Sequence, residues 1–175
     1  MKLRYILLFL SFIGLSSCDE DAKNETVVQE VAVETTSKKI TAKMIESLKY
    51  RDFALSPEAD RAIASWGEYH ELGRQLDFLK RGDFSFFNGD KAVLKKFILE
   101  FKNKLPETFE TNPIESRIAV IETELLQLNE NLTLDNIKNS TRLESIKGLF
   151  IAFSNLNDMM NKKLERETYN KILPE

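Results

Sequence analysis

Histidine and cysteine, the side chains behind most protein metal and thiol chemistry, each occur once, as His70 and Cys18. One histidine excludes a multi-histidine zinc or di-iron site, and no glutamate stands three residues before it, as the Glu-x-x-His motif of di-iron bundles requires. One cysteine excludes an internal disulfide. No G-x-S-x-G elbow accompanies His70 to make a serine hydrolase, so neither an enzyme nor a resident cofactor is expected. Six glycines and four prolines leave few of the turns that an all-β sandwich needs. Neither charge sign dominates: 25 basic residues stand against 28 acidic ones, a net charge of -3. With no basic block in the body, the footprint of a nucleic-acid partner is missing.

The N-terminus carries the most specific signal. Lys2 and Arg4 precede an uncharged apolar run, Ile6 to Gly14, which is too short to span a bilayer as a permanent helix and reads as a signal peptide over residues 1–17. Leu15-Ser16-Ser17-Cys18 follows. This tetrapeptide resembles the lipobox of bacterial lipoproteins: an aliphatic residue, two small ones and a cysteine. The resemblance implies cleavage before Cys18, diacylation of its thiol and acylation of the new amine. Several chains are needed because a single acyl chain binds membranes only marginally. It places the protein on a bacterial cell envelope, anchored in a membrane through Cys18. Asp19-Glu20-Asp21 is similar both to an inner-membrane retention signal and to an acidic surface-export signal, and the outer membrane is favoured.

Residues 18–39 mix valines with acids and amides without helical periodicity and read as a flexible tether, with an r.m.s. reach of roughly 25 Å. From Ile40 the pattern becomes helical, and residues 40–175 read as one all-α domain. Thr41 caps a short helix over 42–51. Ser56-Pro57-Glu58 joins a cap, an N1 proline and a dipole-facing acid, which predicts one helix running to Arg81 and stopped by Gly82. Its inward arc holds Ala59, Ala62, Ile63, Trp66, Tyr69, Gly73 and Leu76. A second helix over 90–104 buries Leu94, Phe97, Ile98, Phe101 and Leu105 and ends before Pro106. A third, capped by Asn112 with Glu115 completing a capping box, runs to about Asn129 on an a/d seam of Ile114, Ile118, Ile121, Leu125, Leu128 and Leu132. A fourth runs from Thr133 or Asp135 to about Thr168 with Leu143, Ile146, Phe150, Phe153, Met160 and Leu164 inward.

Four amphipathic helices with short loops predict an up-down-up-down antiparallel four-helix bundle with a short extra N-terminal helix. At 1.5 Å per residue the fourth helix is about 50 Å long and the second only about 23 Å. The short helix is expected to cover the overhang by packing on Met160 and Leu164.

Three groups of residues invite a functional reading. Phe84, Phe86 and Phe87 on one turn are candidates for a partner contact, although three aromatics there also suit a plug for the bundle end. His70 falls level with Met159 and Met160 across the bundle, a pairing that could ligate haem; a partly buried histidine beside Trp66 and Tyr69, with core-filling methionines, is the plainer reading. Asn157 sits in the seam, where an amide fixes helix register. The expected function is a lipid-anchored, non-enzymatic interaction module with an accessory, stress-partner or immunity-type role. Its expected partner is another envelope or periplasmic protein, with a small-ligand or haem carrier as the alternative.

Overall fold

The computed structural model describes residues 39–172, which are all-α, with no strand among the described residues. The signal peptide, Cys18 and the tether up to residue 38 lie outside the described residues. Six helices follow in order: α1 (Ala42–Glu46), α2 (Pro57–Ala62), α3 (Gly67–Lys80), α4 (Lys91–Asn103), α5 (Asn112–Thr133) and α6 (Asn139–Ile172), with a 3-10 turn at Glu107–Phe109 before α5.

Several helix ends sit where their chemistry puts them. Thr41 Oγ1 accepts from the Met44 amide, Ser56 Oγ from Ala59 at 3.1 Å, and Asp90 Oδ1 from Ala92 at 2.7 Å. Each satisfies an amide that the first helical turn leaves without a partner. Gly82 stops the chain after α3 with φ +85°, the left-handed conformation that glycine adopts without a Cβ penalty.

Other expectations are corrected. The single helix over 57–81 is two helices, because the backbone breaks between Ile63 and Trp66. At the break Trp66 is fully buried; its indole Nε1 donates to the Phe101 carbonyl at 3.0 Å and its ring packs 4.6 Å from Phe101 and 5.4 Å from Tyr69. Gly67, a poor helix former, opens α3 directly after the break. At α5 the cap position is Thr111, which makes no side-chain cap bond, so the expected Asn112 box does not form. Both α5 and α6 extend further toward the C-terminus than expected. Between them Arg142 ties the loop, donating to the carbonyls of Asn131 at 2.9 Å and Leu134 at 2.8 Å; a guanidinium at a helix C-terminus also suits the helix dipole.

The expected seams form the core. Ile114, Ile118, Ile121, Leu125 and Leu128 of α5 and Ile146, Phe150 and Met160 of α6 are buried, joined by Leu72 and Leu79 of α3, which the helical arc omitted. Helices α4 and α5 pack antiparallel, Lys91 and Lys102 meeting Glu130 and Glu122. Tyr69 and Gly73 of α3 meet Asn157 and Phe153 of α6 in reversed order, and Asn131 of α5 meets Ser145 of α6.

Helix α1 does not cover Met160 and Leu164. It packs at the other end of α3, where Ala42 lies against Gly82 and Ile45 shares a cleft with Arg81 and Phe150. The segment that follows it, residues 50–56, runs extended along α6 from Phe150 to Asn161. That stretch of α6 rises about 16 Å, a distance that six extended residues cover.

Gly82→Ala should lower stability by about 1–2 kcal/mol, since any Cβ there strains a positive φ and comes to 3.4 Å from the Ala42 backbone. Urea unfolding with an unchanged slope would check it; an unaltered midpoint would contradict the cost assigned to this turn.

Candidate functional site

The most elaborate polar arrangement in the body lies where residues 50–56 cross α6. Ser154, Asn157 and Asn161 stand at spacings of three and four, on one face of the helix. Each carries both a donor and an acceptor, and each uses both. Ser154 Oγ accepts from the Phe53 amide at 2.7 Å and donates to the Arg51 carbonyl at 2.9 Å. Asn157 Nδ2 donates to the Phe53 carbonyl at 2.9 Å while its Oδ1 accepts from the Tyr69 hydroxyl at 2.7 Å. Asn161 Oδ1 accepts from the Ser56 amide and Nδ2 donates to the Ala54 carbonyl, both at 2.8 Å. The strap therefore finds on a helix the main-chain partners that an extended segment ordinarily finds in a sheet.

Apolar contacts flank the ladder. The Tyr50 ring stacks 5.4 Å from Phe150, and Tyr69 stacks 4.9 Å from Phe153. Gly73 brings α3 close, since a Cβ there would lie 3.8 Å from Phe153. The strap does not fill its groove. Clefts of about 450 Å³ and 180 Å³ both open beside Tyr50, and one of about 540 Å³ begins at Ser56 and follows Asn161, Leu164 and Thr168 toward the exposed Tyr169 and Ile172.

Burial pushes the Tyr69 phenol well above its ordinary value near 10, and burial acts in the same direction, more weakly opposed by Lys80, on Tyr50. Burial likewise raises Glu124, whose carboxylate rests against the backbone of α6 at Gly148.

The remaining candidates fall elsewhere. Phe87 is fully buried and Phe84 and Phe86 are packed on the core. Phe86 meets Phe87 and Phe97 edge-on at 5.1 Å, and Asn129 Nδ2 holds the loop by the carbonyls of Phe87 and Gly89 at 2.8 and 2.9 Å. The turn packs as a plug for that end of the helices, the second of the two readings that its three aromatics allow. His70 is half-buried, its Nε2 3.2 Å from the Ile63 carbonyl at the helix break, and its ring meets Tyr69 edge-on. Met160 is fully buried in the core and Met159 packs partly buried against it. None of the three clefts described above is lined by His70, Met159 or Met160. Among the described residues, no three His, Cys, Asp or Glu side chains converge on a metal position. The sequence singled out Asn157 but missed Ser154 and Asn161. Three small polar residues interrupting an apolar stripe at spacings of three and four are the signal that finds all of them.

Asn157→Ala strands the Tyr69 hydroxyl and the Phe53 carbonyl and should cost about 2–6 kcal/mol, at about 1–3 kcal/mol for each stranded group. Tyr69→Phe should cost about 1 kcal/mol, and a double-mutant cycle should return a coupling of about 0.5–3 kcal/mol; additive effects would deny the bond its role. Tyr69 also sets a pH dependence. Its folded-state value is raised, so its contribution is complete below about pH 10 and is lost as pH rises beyond it. The decline in unfolding free energy above pH 10 should be shallower in Tyr69→Phe than in the parent chain, as alkaline urea titrations would reveal.

Comparison with family models, with curated proteins and with solved structures finds no significant match to this chain.

Proposed function

We propose that this chain is a lipid-anchored protein of a bacterial cell envelope whose helical body is a non-enzymatic interaction module in an accessory, stress-partner or immunity-type role. The observation that carries the anchor is Leu15-Ser16-Ser17-Cys18 directly after an uncharged apolar run with Lys2 and Arg4 ahead of it. Asp19-Glu20-Asp21 favours the outer membrane over the inner. Attachment would come from the lipid, since among the described residues no helix is long and apolar enough to cross a membrane.

The body is read as an up-down-up-down antiparallel four-helix bundle made by α2 with α3, then α4, α5 and α6, with α1 as the short extra helix. The opposed residue pairs between α4 and α5 and between α3 and α6 support that reading. An interaction role suits a body whose clefts are open surface grooves lined by few convergent polar groups, and whose longest helix carries exposed Tyr169 and Ile172 at its far end. The partner is expected to be another envelope or periplasmic protein.

Growth of a bacterial host with labelled palmitate should label the full chain, and Cys18→Ser should abolish the label and move the protein out of the membrane fraction. Retention of label in Cys18→Ser would overturn the anchor. Protease shaving of intact cells distinguishes a surface-facing body from a periplasmic one.

A further inference from the structure

We infer that Asn88 is a site of spontaneous deamidation, and that its conversion to isoaspartate releases the clamp that holds the aromatic plug on the end of α4 and α5. Neither the lipid anchor nor the interaction-module reading is needed for it.

Three observations carry it. First, the reacting pair is exposed and unhindered. Asn88-Gly89 is the one asparagine–glycine step in the chain; it lies in the bend between α3 and α4, and both residues are exposed. Among the described residues the Gly89 amide engages no acceptor. With no Cβ beside it, that nitrogen attacks Asn88 Cγ, closes a five-membered succinimide and expels the side-chain nitrogen as ammonia. Water then opens the ring with no change of oxidation state. Cleavage at Cγ gives aspartate, and cleavage at the main-chain carbonyl carbon gives isoaspartate, whose main chain runs on through Cγ.

Second, the fold does not ask for a glycine at 89. Its φ lies outside the left-handed region, which among the described glycines only Gly82 occupies. A Cβ at 89 would rest 3.5 Å from the Ser85 carbonyl oxygen and 3.9 Å from that of Phe86, both ordinary contacts. The open approach to its nitrogen is what glycine alone supplies there.

Third, the clamp straddles the reacting residue. Asn129 is 2% exposed, and its Nδ2 donates to the carbonyls of Phe87 at 2.8 Å and Gly89 at 2.9 Å, one on either side of residue 88. Isoaspartate lengthens the path between those carbonyls by one methylene, so one amide group no longer fits both. In the orientation that satisfies the Asn88 amide, its nitrogen donates to the carbonyls of Phe84 at 3.1 Å and Ser85 at 3.2 Å. A carboxylate accepts only and confronts the same two oxygens, between Asp83 and Asp90. The bonds lost are those that keep the fully buried Phe87 inward, and a loop with fewer bonds opens at lower free energy.

The test ages the folded full chain carrying Cys18→Ser in mildly alkaline buffer and maps the products by peptide mass spectrometry. The peptide holding Asn88 should gain one mass unit and become a substrate for isoaspartyl methyltransferase, at least tenfold faster than the peptide holding Asn136, an exposed loop asparagine followed by isoleucine. Gly89→Ala should keep the urea midpoint and slow the conversion at least tenfold. In the aged wild-type chain, hydrogen exchange at the Phe87 and Asn88 amides should run at least tenfold faster than in fresh protein, with Ile121 and Leu125 unchanged. Conversion no faster at Asn88 than at Asn136, conversion only in urea-unfolded chain, or equal conversion in Gly89→Ala overturns the site. Isoaspartate at 88 with unaltered exchange at Phe87 overturns the release of the plug.

Discussion

Residues 51–56 have no strand to pair with, yet an extended segment lying against a helix must satisfy its amides and carbonyls or lose about 1–3 kcal/mol for each one stranded. Ser154, Asn157 and Asn161 meet that demand from α6. Much of the N-terminal geometry follows. The strap sets how far the chain travels along α6 before α2 begins, so α1 is left at the Gly82 end and α2 starts beside Asn161. Tyr69 then joins the same network through Asn157, which ties α3, the strap and α6 at one buried point.

A second constraint is volumetric. The core takes Trp66 whole at the break between α2 and α3. The indole N–H finds the Phe101 carbonyl, and the Ile63 carbonyl at the break lies within hydrogen-bonding distance of His70. A side chain that looks like a candidate ligand in the sequence thus lies against the backbone at the helix break, beside a carbonyl that also accepts from the Trp66 amide. The aromatic turn follows the same logic. Phe87 enters the core because the end of the α4 and α5 pair would otherwise be open, and Asn129 holds the loop's carbonyls so that the rings stay inward.

The seams of α5 and α6 were legible because burial imposes a period, and Ile114, Ile118, Ile121, Leu125 and Leu128 repeat it without interruption. The ladder was only partly legible. Asn157 attracts notice as an amide in an apolar stripe, whereas Ser154 and Asn161 read as ordinary polar residues until the strap is seen beside them. Cap chemistry was reliable at Thr41 and Ser56, where a side chain needs only its own first turn. It failed at Asn112, where Thr111 takes the cap position and the expected box does not form.

By itself, then, the sequence determined the helical class, the apolar faces, the stop at Gly82 and the lipobox-like tetrapeptide at Cys18. Each of these is encoded by neighbours within a turn or two, and local spacing carries them. Only the tertiary structure decided where α1 docks, that the chain breaks before Gly67, that Phe87 points inward and that three polar residues on one helix hold a strap about a hundred residues earlier in the chain. Those outcomes depend on which backbone groups are left unpaired and which volumes are left unfilled once the helices meet, and neither quantity exists before they do.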